Sequence, residues 1–318
     1  MVAHQMKFAA LSIMAVVLAG AVTLGRPQQP APAQDESGTF RSEITRVNML
    51  FTVTDKRGHF VTDLTRGDFT VAENKKPQEI LEFTAESDLP LRLAILIDTS
   101  GSITDRFHFQ QEAADNFVHG VMRQQDKAAV IAFDSSAELV ADLTNDIGVL
   151  EKAIRELRPG GGTALYDAIY FGCKERLMKD QPMYKYRRAM VILSDGTDNA
   201  SRYSREQALE MAQRADTVIY TISTNISHIE TDGDKVMHYF ADQTGGTAFF
   251  PFEAKDLNQS FENIANELRH QYNLFYRPEP LKNDGLYHRV QISVRGRKDL
   301  IVHARKGYYA RRDVVAGT

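Results

Sequence analysis

The segment Leu93-Ala94-Ile95-Leu96-Ile97-Asp98-Thr99-Ser100-Gly101-Ser102 constrains the fold of this chain more than any other. Its apolar run of about five residues predicts a strand buried on both faces, the kind found in parallel sheets covered by helices. The run stops at an acid and then alternates hydroxyl residues around a glycine. Asp98, Ser100 and Ser102 stand two apart, so in an extended turn their side chains can converge on one point. One carboxylate and two hydroxyls form an all-oxygen cradle suited to Mg²⁺, Mn²⁺ or Ca²⁺ rather than to zinc. The same residues also suit a plain strand-to-helix turn, in which Asp and Ser cap the next helix.

Two distant segments supply further ligands. Gly160-Gly161-Gly162-Thr163-Ala164-Leu165-Tyr166-Asp167 is a glycine-rich loop running into a helical pattern. Met190-Val191-Ile192-Leu193-Ser194-Asp195-Gly196-Thr197-Asp198-Asn199 is a second buried strand ending in an acid. Asp-x-Ser-x-Ser, then a Thr, then an Asp resembles the metal-ion-dependent adhesion site of von Willebrand factor type A (VWA) domains. Asp98, Ser100, Ser102, Thr163 and Asp195 match that pattern in order and in loop context. The resemblance implies a Mg²⁺ site, with Mn²⁺ or Ca²⁺ as substitutes. It also implies that the hydroxyls bind directly and that one or both acids act through water.

The flanks of this block read differently. Strand patterns run over Val47 to Thr54, Asp68 to Asn74 and Ile80 to Thr84, with a turn at Asp55-Lys56-Arg57-Gly58. From Leu91 to His270 strands and helices alternate. Strand cores fall at Leu93 to Ile97, Ala128 to Phe133, Met190 to Leu193, Val218 to Ile222 and Ala248 to Phe252, with an antiparallel edge strand near Leu139 to Leu143. Helical patterns cover Arg106 to Met122, Ile147 to Leu157, Leu165 to Met178, Arg205 to Ala215 and Leu257 to His270. Asn225 to Lys235 lacks periodicity and reads as a polar loop. Strands return at Tyr272 to Tyr276, Arg289 to Val294 and Leu300 to Ala304, with a turn at Asn283-Asp284-Gly285.

Alternating strands and helices predict an α/β fold, a doubly wound and mostly parallel sheet of the VWA or Rossmann-like kind. Neither flanking strand set can cover two sheet faces alone. The two sets are therefore expected to pair into one small β-sandwich, with the VWA domain inserted between them. The expected division is 1–25 signal peptide or N-terminal anchor, 26–42 linker, 43–88 first part of the sandwich, 90–270 VWA domain and 271–312 second part of the sandwich. In this layout the chain resembles the exported VWFA-related proteins described from acidobacteria.

Export rests on the first residues. A weakly basic start is followed by the apolar stretch Phe8 to Leu24, long for a cleaved signal and short for a span. Ala31-Pro32-Ala33 resembles a cleavage site, and an uncleaved inner-membrane anchor is the alternative. The expected location is periplasmic or extracellular. Cys173 is the only cysteine, so there is no intrachain disulfide and no lipoprotein cysteine after the apolar stretch. Cys173 itself reads as a small buried hydrophobe. A net charge of −4 excludes the basic excess that would point to nucleic acid.

Two aspartates balance a divalent ion, and a neutral, open metal site favours an incoming carboxylate. The expected function is therefore binding of a protein partner that supplies an Asp or Glu to the metal. A structural envelope scaffold with a non-essential metal site is the second reading. A metal-dependent hydrolase is the third, and the chain is not expected to be an enzyme. Asp134, Asp167 and Asp198 read as caps or exposed acids, and His228, His238 and His270 lack ligand spacing. Gly-x-Ser-x-Gly is absent, and no Gly-Lys-Ser/Thr follows the glycine loop. The basic residues from Arg295 to Arg312 read as a solvated sheet face.

Overall fold

The computed structural model describes residues 46–85, 89–101, 107–225, 229–251 and 254–312, the side chains of Phe109, Ala254 and Lys255 excepted. The predicted export signal, the linker and Ser102 lie outside them. Among the described residues no helix is long and apolar enough to cross a membrane.

The N-terminal flank contributes β1 (Val47–Asp55), β2 (Phe69–Glu73), β3 (Lys76–Gln78) and β4 (Ile80–Thr84). Next come β5 (Leu91–Asp98), α1 (Phe107–Val121), β6 (Lys127–Phe133), β7 (Ala137–Thr144), α2 (Ile147–Glu156) and α3 (Leu165–Phe171). They are followed by β8 (Arg187–Ser194), α4 (Arg205–Arg214), β9 (Thr217–Ser223), α5 (Asp232–Thr244), β10 (Ala248–Phe249) and α6 (Ala254–Arg269). The C-terminal flank adds β11 (Tyr272–Tyr276), β12 (Tyr287–Val294), β13 (Leu300–Ala304) and β14 (Gly307–Tyr309).

The central sheet has six strands in the order β10-β9-β8-β5-β6-β7, and only β7 runs antiparallel. All eight residues of β5 are buried because both faces of the sheet are covered. Leu93, Ile95 and Ile97 pack with α1, α2 and α6 on one face. Ala94 and Leu96 pack with α3, α4 and α5 on the other. An unbroken apolar strand follows from this two-sided burial.

The flanks interleave. One four-stranded sheet has the order β13-β1-β11-β4 and the other β14-β12-β2-β3, so each contains strands from both ends of the chain. Their facing sides share a core of Met49, Phe51, Val53, Phe69, Val71, Tyr272, Leu274, Tyr276 and Ile292. Phe51 meets Phe69 edge-on at 5.1 Å and stacks on Tyr272 at 5.4 Å. Each of these buried rings contributes about 1.5–3 kcal/mol. The opposite side of β1, with Asn48 and Leu50, lines a crevice with Arg188, Asp216 and Thr217 at the base of the central sheet. Arg305 spans the two parts, pairing with Asp216 and donating to the Asn48 carbonyl at 2.5 Å. Lys306 pairs with Asp242 at 2.7 Å and Arg297 with Asp299 at 2.8 Å, so much of the C-terminal basic run is neutralised locally.

Three sequence expectations need correction. The polar segment Asn225 to Lys235 is not a loop throughout, because α5 begins at Asp232. Its start is a capping box between Thr231 and Asp234, and Met237, Phe240 and Ala241 form its buried stripe. The polar first turn hid the apolar face behind it. The helix expected from Leu165 to Met178 changes after Phe171 into a π-helical turn over Gly172–Leu177. A side chain at Gly172 would sit 2.9 Å from Met190 Cε, so the turn presses directly on the sheet. The strand expected from Ala248 to Phe252 covers only Ala248–Phe249 among the described residues, and Phe252 lies outside them. Cys173 is fully buried, and burial pushes its thiol up to about 12.

Candidate metal centre

Asp98 is the last residue of β5, and Asp195 follows the last residue of β8. These strands are parallel neighbours, with Ile97 opposite Leu193. The chain leaves β5 toward β6 and later returns to β8 on its other side, so strand order reverses between β5 and β8. In open α/β sheets ligands bind in the crevice beyond the carboxyl ends of strands at such a reversal.

The glycine loop is drawn to this crevice by backbone hydrogen bonds. Gly160 N–H donates to the Thr99 carbonyl at 2.6 Å, Gly101 N–H to the Gly161 carbonyl at 3.3 Å and Ala164 N–H to the Asp134 carbonyl at 2.6 Å. Gly161 has φ +81°, and a Cβ there would lie 2.8 Å from the Asp134 carboxylate, so only glycine lets the loop pass. The loop after β8 holds Thr163 from the other side. Thr163 N–H donates to Asn199 Oδ1 at 2.9 Å, and the Thr163 carbonyl accepts from Asn199 N–H at 2.9 Å. Asp98, Ser100, Thr163 and Asp195 are therefore brought to one end of the sheet by three stitched loops. Ser102, the fifth predicted ligand, lies outside the described residues.

Asp98 is inaccessible, Ser100 and Thr163 are buried, and Asp195 is half-buried. Asp98 Oδ1 accepts from Ser100 N–H at 2.8 Å and Oδ2 from the Ser194 hydroxyl at 2.6 Å. Its pKa is nonetheless raised. Burial is the main cause, and the nearby Asp195 carboxylate adds to it, while the bonds from Ser194 and Ser100 oppose it. Asp195 Oδ1 accepts from the Thr197 hydroxyl at 2.6 Å and from Thr197 N–H at 2.9 Å. Gly196, at φ +78°, lies so close to the start of α5 that a Cβ would stand 2.1 Å from the Gly233 carbonyl. Two mutually repelling carboxylates with buried hydroxyl residues beside them fit a hard divalent cation. Among the described residues no three His, Cys, Asp or Glu side chains form a metal-binding cluster.

The neighbouring acids have structural roles. Asp198 Oδ2 accepts from Tyr166 N–H at 3.0 Å and from the Ser201 hydroxyl at 2.6 Å, tying α3 to the loop after β8. Asp167 accepts from the N–H groups of Arg202 and Tyr203, each at 2.9 Å. Asp134 Oδ1 caps its own turn through Ser136 N–H at 3.1 Å. His238 is exposed, His270 bonds the Asn266 carbonyl at 2.7 Å and stacks on Phe60, and His228 lies outside the described residues. The sequence reading missed Ser194 and Asn199. Ser194 had a usable signal as the hydroxyl at the strand end directly before Asp195; Asn199 had none, because its role depends on where the glycine loop lands.

Residues 93–197 match the family model of the von Willebrand factor type A domain, and the chain contains a VWA domain. It is 26% identical over 172 residues to calcium-activated chloride channel regulator 1 of Bos taurus, covering 52% of this chain and 18% of that protein. It is 24% identical over 160 residues to an uncharacterized protein of Borreliella burgdorferi, covering 47% of this chain and 44% of that one. The chain thus spans less than half the length of either curated relative. Among solved structures it is similar to proximal thread matrix protein 1 from the mussel byssus, determined with a zinc-occupied metal-ion-dependent adhesion site. That likeness has a TM-score of 0.48 and 16% identity, over 60% of this chain and 48% of the other.

Proposed function

We propose that this chain is an exported, metal-dependent protein-binding module in which Asp98, Ser100, Ser102, Thr163 and Asp195 hold a divalent cation, Mg²⁺ foremost. VWA domains are typically protein-interaction modules, which supports the binding role. The observation that carries the proposal is the buried Asp98 carboxylate, whose pKa is raised by burial and by the Asp195 carboxylate beside it. A divalent cation would neutralise both acids, and it would bring Lewis acidity and an exchangeable coordination position. The cradle lies at the carboxyl ends of the central strands with Asp195 its half-buried member, and an Asp or Glu of a partner protein is the incoming ligand it would take. Asp134, Asp167 and Asp198 already accept backbone N–H groups, which argues for binding rather than turnover. The apolar stretch Phe8 to Leu24 supports export.

Titration with MnCl₂ followed by calorimetry and electron paramagnetic resonance tests the site. One saturable site is expected in the wild type and none in Asp98→Asn. Glutarate, as a carboxylate probe, should change the spectrum of the bound Mn²⁺. A wild type that binds no Mn²⁺, or an Asp98→Asn variant that binds it equally, overturns the assignment.

A further inference from the structure

A second buried charge cluster lies in the sandwich, in a part of the molecule that the metal reading does not use. Glu73 ends β2 with its side chain buried and takes three donors. His288 Nδ1 on β12 approaches Glu73 Oε1 at 2.6 Å, while the hydroxyls of Tyr276 on β11 and Tyr308 on β14 donate to Oε2 at 2.7 and 3.1 Å. The other ring nitrogen, His288 Nε2, lies 3.1 Å from Asp284 Oδ1 in the turn before β12. The His288 side chain is only 4% exposed, and that of Asp284 is 32% exposed.

An imidazole with a carboxylate on each nitrogen needs a proton on both, because a bare lone pair would face an anion. His288 is therefore an imidazolium bridging a buried acid to a surface acid. Its pKa is raised: burial works against the charge, and the hydrogen bonds and charges of Glu73 and Asp284 more than offset it. Tyr276 and Tyr308 are held protonated above the usual phenol range by burial, with Glu73 adding to both, so they remain donors. Arg305 acts on both phenols, and Lys282 acts on Asp284.

The placement gives the cluster mechanical meaning. Glu73 belongs to the N-terminal flank, and its partners all belong to the C-terminal flank, more than 200 residues on. Tyr276 sits in one sheet of the sandwich, and Glu73, His288 and Tyr308 sit in the other. The cluster fastens sheet to sheet and chain start to chain end around the inserted VWA domain.

We propose that Glu73, His288 and Asp284 form a proton-operated latch that closes the sandwich while His288 is charged and loosens it when His288 loses its proton. The sign follows from the raised pKa. The stabilisation is fully present below about pH 6.5, the free-histidine value, and is lost as pH rises through the folded-state midpoint.

The experiment uses the full chain. The His288 ring resonances, assigned by comparison with His288→Gln, should titrate with a midpoint above about 6.5. Between pH 6.5 and 9 the wild-type melting temperature should fall by about 3–5 °C for each unit by which that midpoint exceeds the free value. His288→Gln should show no such fall. If that variant does not fold, Asp284→Asn, at a partly exposed site, should lower the midpoint and shrink the fall. Burial pushes the Glu267 carboxyl up to about 7, and because Glu267 is unchanged in all three proteins its contribution cancels from the differences between them. A wild-type midpoint at or below 6.5, or an unchanged fall in the variants, overturns the latch.

Discussion

Removing the charge of Asp98 by Asp98→Asn keeps the shape of the cradle while abolishing its metal response. In the absence of metal, the raised pKa of Asp98 means that its stability contribution is present below the unfolded value, about 3.9, and is lost as pH rises through the folded value. The chelated wild type should therefore lose melting temperature across that window, and the variant should lose less. A ligand that binds only the folded state stabilises it by RT ln(1 + [L]/Kd), about 2.7 kcal/mol at one hundred times Kd. For a folded part of this size that is a rise of about 5–11 °C. Protons compete with the metal for the acids, so the rise should be larger at pH 8 than at pH 5. Scanning calorimetry of both proteins at these pH values, with chelator and with saturating Mn²⁺, measures all of this. Equal Mn²⁺-induced rises in wild type and Asp98→Asn, or a wild-type rise that shrinks as pH increases, would refute the reasoning.

Gly161→Ala must adopt φ +81° and push a Cβ against the Asp134 carboxylate. It should cost about 1–3 kcal/mol and weaken Mn²⁺ binding, read by urea unfolding and metal titration. Glu267 is buried in α6, and burial pushes its carboxyl up to about 7, against a smaller opposing effect of the Thr247 hydroxyl. Its stabilisation is present below about pH 4.5 and lost up to about pH 7, so Glu267→Gln should gain up to about 3 kcal/mol on the wild type across that window, seen in melting curves. Cys173, fully buried with its thiol pushed up to about 12, should react with a thiol reagent only at the rate of unfolding; fast labelling of the native protein would contradict the packing.

Local patterns made much of this molecule readable. The runs at Leu93 and Met190 are apolar without alternation because both faces of the central sheet are covered, so they announced strands and their acids announced the loops. Helix α4 was legible from Ser204 and Gln207, which form its capping box. Helix α5 carries the same device at Thr231 and Asp234, but it opens on four polar or glycine residues, so its start reads as loop in the sequence. Thr163 could be nominated only by resemblance to a known pattern. What places it is its pair of hydrogen bonds to Asn199, a residue whose position depends on the loop after β8.

By itself the sequence determined the alternation of strands and helices, the two strand-ending acids and the pairing of the flanks. These depend on residue order and burial, which leave a periodic trace. Only the tertiary structure decided that Ser194 donates to Asp98, that burial with Asp195 nearby raises the pKa of Asp98, and that Glu73 meets His288 across more than 200 residues. Such contacts arise from strand order and loop path, and neither leaves a local signature in the chain.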